Sequence, residues 1–190
     1  MKKRIRIQGL AILAALVVLA VFGRYILADS RSIISCILGF LLLLLGYFLR
    51  IGARGLKSEL NPDGNTLIVS GIYALTRNPM YLGTLLIGTG IVTALFHWWV
   101  MAIFVTVYLS IYIPQMNKEA QLLRLRFGKI FESYCRSTPI FLPSLKSIFK
   151  SSPPGYLKIK SCWIKKELIS LVLTSVLILG IILWRILIGR

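Results

Sequence analysis

Between Arg31 and Arg50 the chain carries no charged residue at all, reading SIISCILGFLLLLLGYFL from Ser32 to Leu49. A helix crossing the roughly 30 Å hydrocarbon core of a bilayer needs about 20 predominantly apolar residues, and little else in a protein requires so long an uncharged run. It has companions. Ile7 to Ala28 follows the basic start Lys2, Lys3, Arg4 and Arg6, and Met80 to Leu95 and Trp98 to Ile113 flank the short break Phe96-His97. Leu168 to Trp184 is the last apolar run. With 57% of 190 residues hydrophobic and 15% charged, so short a chain cannot bury its apolar excess in a water-soluble core. The sequence therefore predicts an all-α, multi-pass transmembrane helical bundle of about five spans: 7–28, 32–49, 80–95, 98–113 and a C-terminal helix within 167–190. A cleaved signal peptide would also begin with the basic cluster, but the apolar stretch is long for an h-region and lacks a clear small-x-small site behind it, so a retained helix is expected.

Orientation follows from the cations. With five spans, nineteen of the 23 lysines and arginines fall on one side, leaving Arg24, Arg31, Arg185 and Arg190 on the other. The positive-inside rule then puts the N-terminus in the cytoplasm and the C-terminus opposite, in the inner membrane if the source is bacterial. The net charge of +17 is accounted for by this topology and by anionic lipid head groups, and no recognition fold or aromatic-interleaved basic patch argues for nucleic acid. Cys36, Cys135 and Cys162 lie in no CxxC or zinc spacing, and no metal site is expected. His97, the single histidine, is read as an interfacial side chain beside Trp98 and Trp99. By composition the chain divides into a membrane domain over 1–143, a basic linker rich in Lys, Ser and Pro over 144–166, and a C-terminal transmembrane helix over 167–190, an anchor standing apart from the rest.

Two polar segments abut the ends of the central hairpin, and function is sought there. The first, NPDGNTLIVSGIYALTRNPMYLG from Asn61 to Gly83, holds a turn by composition at Asn61 to Gly64 and then the ordered set Gly71, Tyr73, Arg77, Asn78, Pro79, Tyr81 and Gly83. The second, Gln115 to Pro143, continues the fourth span as an amphipathic stretch and reads KEAQLLRLRFGKIFESYCRSTPIFLP from Lys118 onward. Taken singly, the first could be an interfacial loop with Arg77 snorkelling and Tyr81 in an aromatic belt. Pro79 suits the first turn of the third span, where its missing N–H costs nothing.

The pattern GxYxxxRNPxYxG, followed after a hairpin by an acidic start and FGxxFxxY, resembles the isoprenylcysteine carboxyl methyltransferase and phospholipid methyltransferase family of integral membrane enzymes, over about Arg50 to Pro143. That resemblance implies S-adenosylmethionine as cofactor in a cytoplasmic pocket at the hairpin ends, and a lipophilic or lipid-like methyl acceptor reached from the bilayer. It implies a cofactor shell of Asn65, Thr66, Leu67, Ile68, Tyr73, Asn78, Pro79, Met80, Tyr81 and Glu119. Arg77 and Glu119 carry the catalytic assignment, with Arg77 expected to tie the segments together by pairing with Glu119 or bonding loop carbonyls. Gln115 holds the acceptor-facing position, one turn before Glu119. Departures from the family pattern are Asn78 for His, Phe131 for the first Tyr of the second motif, Ile140 for an Arg, and Gln115 for a basic residue, so a carboxylate acceptor is not expected. Sterol reductases share an Arg-x-Pro-x-Tyr element, which leaves an NADPH-dependent reductase as one alternative. A non-catalytic membrane protein that keeps the scaffold is the other.

Overall fold

A computed structural model describes residues 33–143 and 160–188, all helix and connecting segments with no strand element among them. The expected first span over 7–28 and most of the linker lie outside the described residues. Six helices are present among the described residues: α1 (Ile33–Leu60), α2 (Ile72–Leu75), α3 (Pro79–Leu95), α4 (Trp98–Phe127), α5 (Lys129–Ser137) and α6 (Ser161–Ile188).

Two of them, α1 with 28 residues and α4 with 30, are long and apolar enough to cross a membrane. At 1.5 Å per residue each is over 40 Å long by rough estimate, more than the hydrocarbon core requires. Both helices continue past their apolar parts, α4 as the sequence predicts and α1 beyond the expected span. Arg50, Arg54 and Lys57 ride on the last turns of α1, and the segment after Ile113 stays helical through Pro114 to Phe127. Ile33, Ile34, Ile37, Leu38, Leu41 and Leu45 of α1 all face outward. Such a contiguous apolar surface suits lipid, and in water it would invite association. The shorter α3 and the Glu167–Leu183 part of α6 are apolar as well.

Close approach of α1 and α3 rests on two reciprocal glycine pairs. A Cβ on Gly46 would sit 2.7 Å from the Gly83 carbonyl oxygen, and one on Gly83 would sit 2.7 Å from that of Gly46. Gly39 and Gly90 repeat the arrangement two turns away, at 2.7 and 2.6 Å. Without hydrophobic driving force between helices in lipid, such small-residue contacts let backbones meet closely enough for dispersion to hold them. Gly88 performs the same service toward α4, where Phe104 occupies the space a Cβ would need.

The C-terminal helix differs from expectation in two ways. It starts at Ser161, inside the expected linker, and it does not stand apart. Trp163 fills the notch left by Gly55 of α1, its Nε1 donates to Glu59 Oε2 at 3.2 Å, and Lys160 pairs with Glu59. Glu167, 0% exposed, lies 3.3 Å from Arg50 and 3.2 Å from Arg54. Further along, Tyr47 Oη donates to Thr174 Oγ1 at 2.6 Å. A hydropathy plot registers α6 only as one more apolar run, because the polar contacts that dock it pair residues more than a hundred positions apart.

Candidate functional site

The two polar segments converge below the α3–α4 hairpin. Gly71 has φ 60°, a conformation that favours glycine, and it turns the chain into the single helical turn of α2. Beyond α2, Thr76, Arg77 and Asn78 run against Pro139 and Ile140 of the second segment. Arg77 N donates to Pro139 O at 2.9 Å, and Ile140 O accepts from Asn78 Nδ2 at 2.9 Å and from Thr76 Oγ1 at 3.3 Å. Asn78 thus spends its side chain on joining the segments, and Pro79 opens α3 as the spacing predicts, almost fully buried. Gly128, at φ 50°, separates α4 from α5, so α5 folds back with Phe131 2% and Tyr134 7% exposed. Tyr134 Oη donates to Tyr73 O at 2.7 Å.

Between these elements lies a cavity of about 610 Å³, walled by the end of α1, the 66–68 loop, Tyr73, Arg77, Asn78, one face of α4, and α5. That volume is in the range of ligand sites for small molecules, roughly 300–1,000 Å³. Of the expected shell, Thr66, Leu67, Ile68, Tyr73, Asn78 and Glu119 line it. Met80 and Tyr81 form the first turn of α3 with Pro79 and are not among the lining residues. Asn65 does not line it either. Its Oδ1 accepts from Arg126 Nη2 at 2.6 Å, and Arg126 Nη1 donates to Gly64 O at 2.6 Å, which ties the loop to the end of α4.

Glu119 is the one carboxylate in the lining among the described residues, and it is oriented from two sides. Its Oε1 accepts from Tyr81 Oη at 2.6 Å and from Gln115 Nε2 at 2.8 Å. Gln115 is therefore bound to the carboxylate one turn along its own helix. Arg77 is not paired with Glu119, which corrects that expectation: its Nη1 lies 2.7 Å from Cys135 Sγ, and its Nε is buried without a hydrogen-bond partner among the described residues. The residue still bridges the two segments, because Cys135 belongs to α5.

Burial, and secondarily the Glu119 charge, push the Tyr73 phenol up to about 12. Burial likewise raises Tyr134, with Tyr73 adding to it. Both hydroxyls stay protonated at neutral pH and act as neutral donors.

Several lining residues went unread in the sequence. Met116 and Leu123 share a helical face with Glu119, a spacing of three and four that periodicity from Glu119 alone could have supplied, and Ala120 adjoins it. Lys57 and Asn61 enter from the far end of α1, and Arg124 from α4, giving the cavity three cationic side chains with Arg77. Phe131 and Tyr134 come from the second motif.

No protein-family model, curated protein or solved structure matches this chain.

Proposed function

We propose that this protein is an integral membrane methyltransferase that uses S-adenosylmethionine to methylate a lipophilic or lipid-like acceptor. One observation carries the reading: two segments separated by the α3–α4 hairpin, each with its own motif, meet around a single cavity whose lining carboxylate, Glu119, accepts hydrogen bonds from Tyr81 and Gln115.

The residues fit such a cofactor. A carboxylate fixed by two donors can take an ammonium or ribose hydroxyls, and Lys57 and Arg124 offer cations for a carboxylate. Asn61, Asn78 and Asn117 add neutral hydrogen-bonding groups, and Leu67, Ile68 and Phe131 an apolar wall for a base. When bound, S-adenosylmethionine supplies an electrophilic methyl group on a sulfonium. Glu119 and the loop 66–68 bind and orient; the neutral Tyr73 phenol keeps a nucleophilic phenolate out of the cavity; the walls exclude water. Arg77 holds the two motifs in register through Cys135 and Pro139. No covalent intermediate on the protein is required.

The topology that belongs with this reading is five spans, with residues 7–28, α3 and α6 crossing beside α1 and α4, the N-terminus and the cavity cytoplasmic and the C-terminus opposite. Nineteen cations on the cavity side support it. Tags on each terminus, tested for protease access in sealed vesicles, check it, and a cytoplasmic C-terminus overturns it.

Binding of radiolabelled S-adenosylmethionine and of NADPH to the purified full-length protein tests the function. Saturable binding of the first supports a methyltransferase. Binding of NADPH alone replaces it with a reductase, and binding of neither leaves a non-catalytic scaffold.

A further inference from the structure

The buried carboxylate of Glu167 belongs to a connected set of polar contacts that ends in the candidate site. Its two oxygens each lie 3.3 Å from Arg50 Nη2. Arg50 Nη1 donates to Thr84 Oγ1 at 2.9 Å, and Thr84 Oγ1 donates to Met80 O at 2.9 Å. Met80 adjoins Tyr81, whose carbonyl accepts from Tyr108 Oη at 2.6 Å and whose hydroxyl reaches Glu119. α6, α1, α3 and α4 are thereby linked, in that order, by side chains that are buried or partly buried.

An ionisable pair at the edge of a membrane bundle is costly unless fully matched, and a helix serving only as an anchor has no need of one. The Arg50 Nε is buried without a partner among the described residues, and the Glu167 carboxylate lies against its Nη2, so that carboxylate helps decide where the guanidinium lies. The guanidinium in turn fixes the Thr84 hydroxyl against the first turn of α3.

We infer that Glu167 is a positioning residue: acting through Arg50 and Thr84, the C-terminal helix sets the first turn of α3, and with it the Tyr81–Glu119 pair. The inference rests on the methyltransferase reading only for its binding readout.

The 190-residue chain carries four methionines, Met1, Met80, Met101 and Met116. Met80 sits in the relay and Met101 at the opposite end of the hairpin. Methionine labelled with ¹³C at the methyl group, in detergent micelles, gives a reporter for each. Thr84→Val removes one hydroxyl midway along the relay while leaving the Glu167–Arg54 contact and the Trp163 notch intact. It should shift the Met80 resonance, spare Met101, leave Trp163 emission as in the parent, and weaken S-adenosylmethionine binding about fivefold, the order expected for one lost hydrogen bond. Thr84→Ser keeps the hydroxyl and should restore both Met80 and affinity. Glu167→Gln should move Met80 in the same direction from the other end. Unmoved Met80 and unchanged affinity in Thr84→Val overturn the inference even if Glu167→Gln fails to fold. A Met80 shift in a protein that binds no S-adenosylmethionine keeps the coupling and discards the methyltransferase.

Discussion

Tyr81 donates its phenolic hydrogen to Glu119 Oε1 across 2.6 Å, joining the first turn of α3 to the middle of α4. The two residues lie in different sequence motifs, and their contact orients the Glu119 carboxylate, which lines the cavity.

Removing either partner should therefore weaken the methyl donor. A hydrogen bond to a charged group contributes about 1.5–3 kcal/mol, so Glu119→Gln is expected to lower S-adenosylmethionine affinity by roughly 10- to 100-fold, and Tyr81→Phe by less, because Gln115 still holds the carboxylate. Calorimetry measures both. Unchanged affinity in Glu119→Gln removes the residue from the site.

The acceptor should not be a prenylcysteine carboxylate. A carboxylate entering a membrane-edge site loses hydration and needs a fixed cation to meet it. The position one turn before Glu119 is Gln115, a neutral amide already bonded to that carboxylate. Labelled methyl transfer to farnesylcysteine analogues, phosphatidylethanolamine and apolar thiols is expected to favour a neutral amine, thiol or hydroxyl. Robust activity of the parent protein on the farnesylcysteine analogue refutes this, and activity gained only by Gln115→Arg supports it.

Glycine substitutions should separate by position. Gly46→Ala places a Cβ 2.7 Å from backbone oxygen, which cannot move as a flexible side chain could, and should cost about 1–3 kcal/mol by forcing α1 and α3 apart. Gly180→Ala in α6 meets nothing within 4 Å and should be neutral or stabilising by up to about 1 kcal/mol. Thermal unfolding in matched micelles compares them, and equal midpoints for the two variants contradict the close-packing account.

Alkaline stability should depend on Tyr73. Its folded value, about 12, lies above the usual 10, so the native state holds this proton more tightly than the unfolded chain. The sign follows: the contribution is fully present below pH 10 and is lost as pH rises through 12, with up to about 2 kcal/mol at stake. Tyr73→Phe, which has no proton to lose, should flatten the fall in stability between pH 10 and 12. An identical slope in the variant rejects Tyr73 as its source.

The sequence alone determined which segments are apolar helix and which are polar, because that choice depends on local composition and on the length a bilayer demands. Uncharged residues from Ser32 to Leu49 and the Phe96-His97 break between two apolar runs were legible for that reason, as was Pro79 at the start of α3. The ordered residues Gly71 to Gly83 and Phe127 to Tyr134 also marked where to look, since backbone turns at Gly71 and Gly128 leave a local imprint. Partnership did not. Arg77 could have met Glu119 or loop carbonyls, and its Nη1 instead lies beside Cys135 Sγ of α5, a partner that neither motif announces. Gln115 reads as an acceptor contact one turn before Glu119, and only the folded side chains show its Nε2 bonded to that carboxylate. Glu167 gave no signal within its own apolar run, because a buried charge is explained by the cation that faces it, and Arg50 lies 117 residues away. Folding in three dimensions decided these pairings, for the physical reason that hydrogen bonds and ion pairs depend on distances of a few ångströms, and sequence separation does not encode those distances.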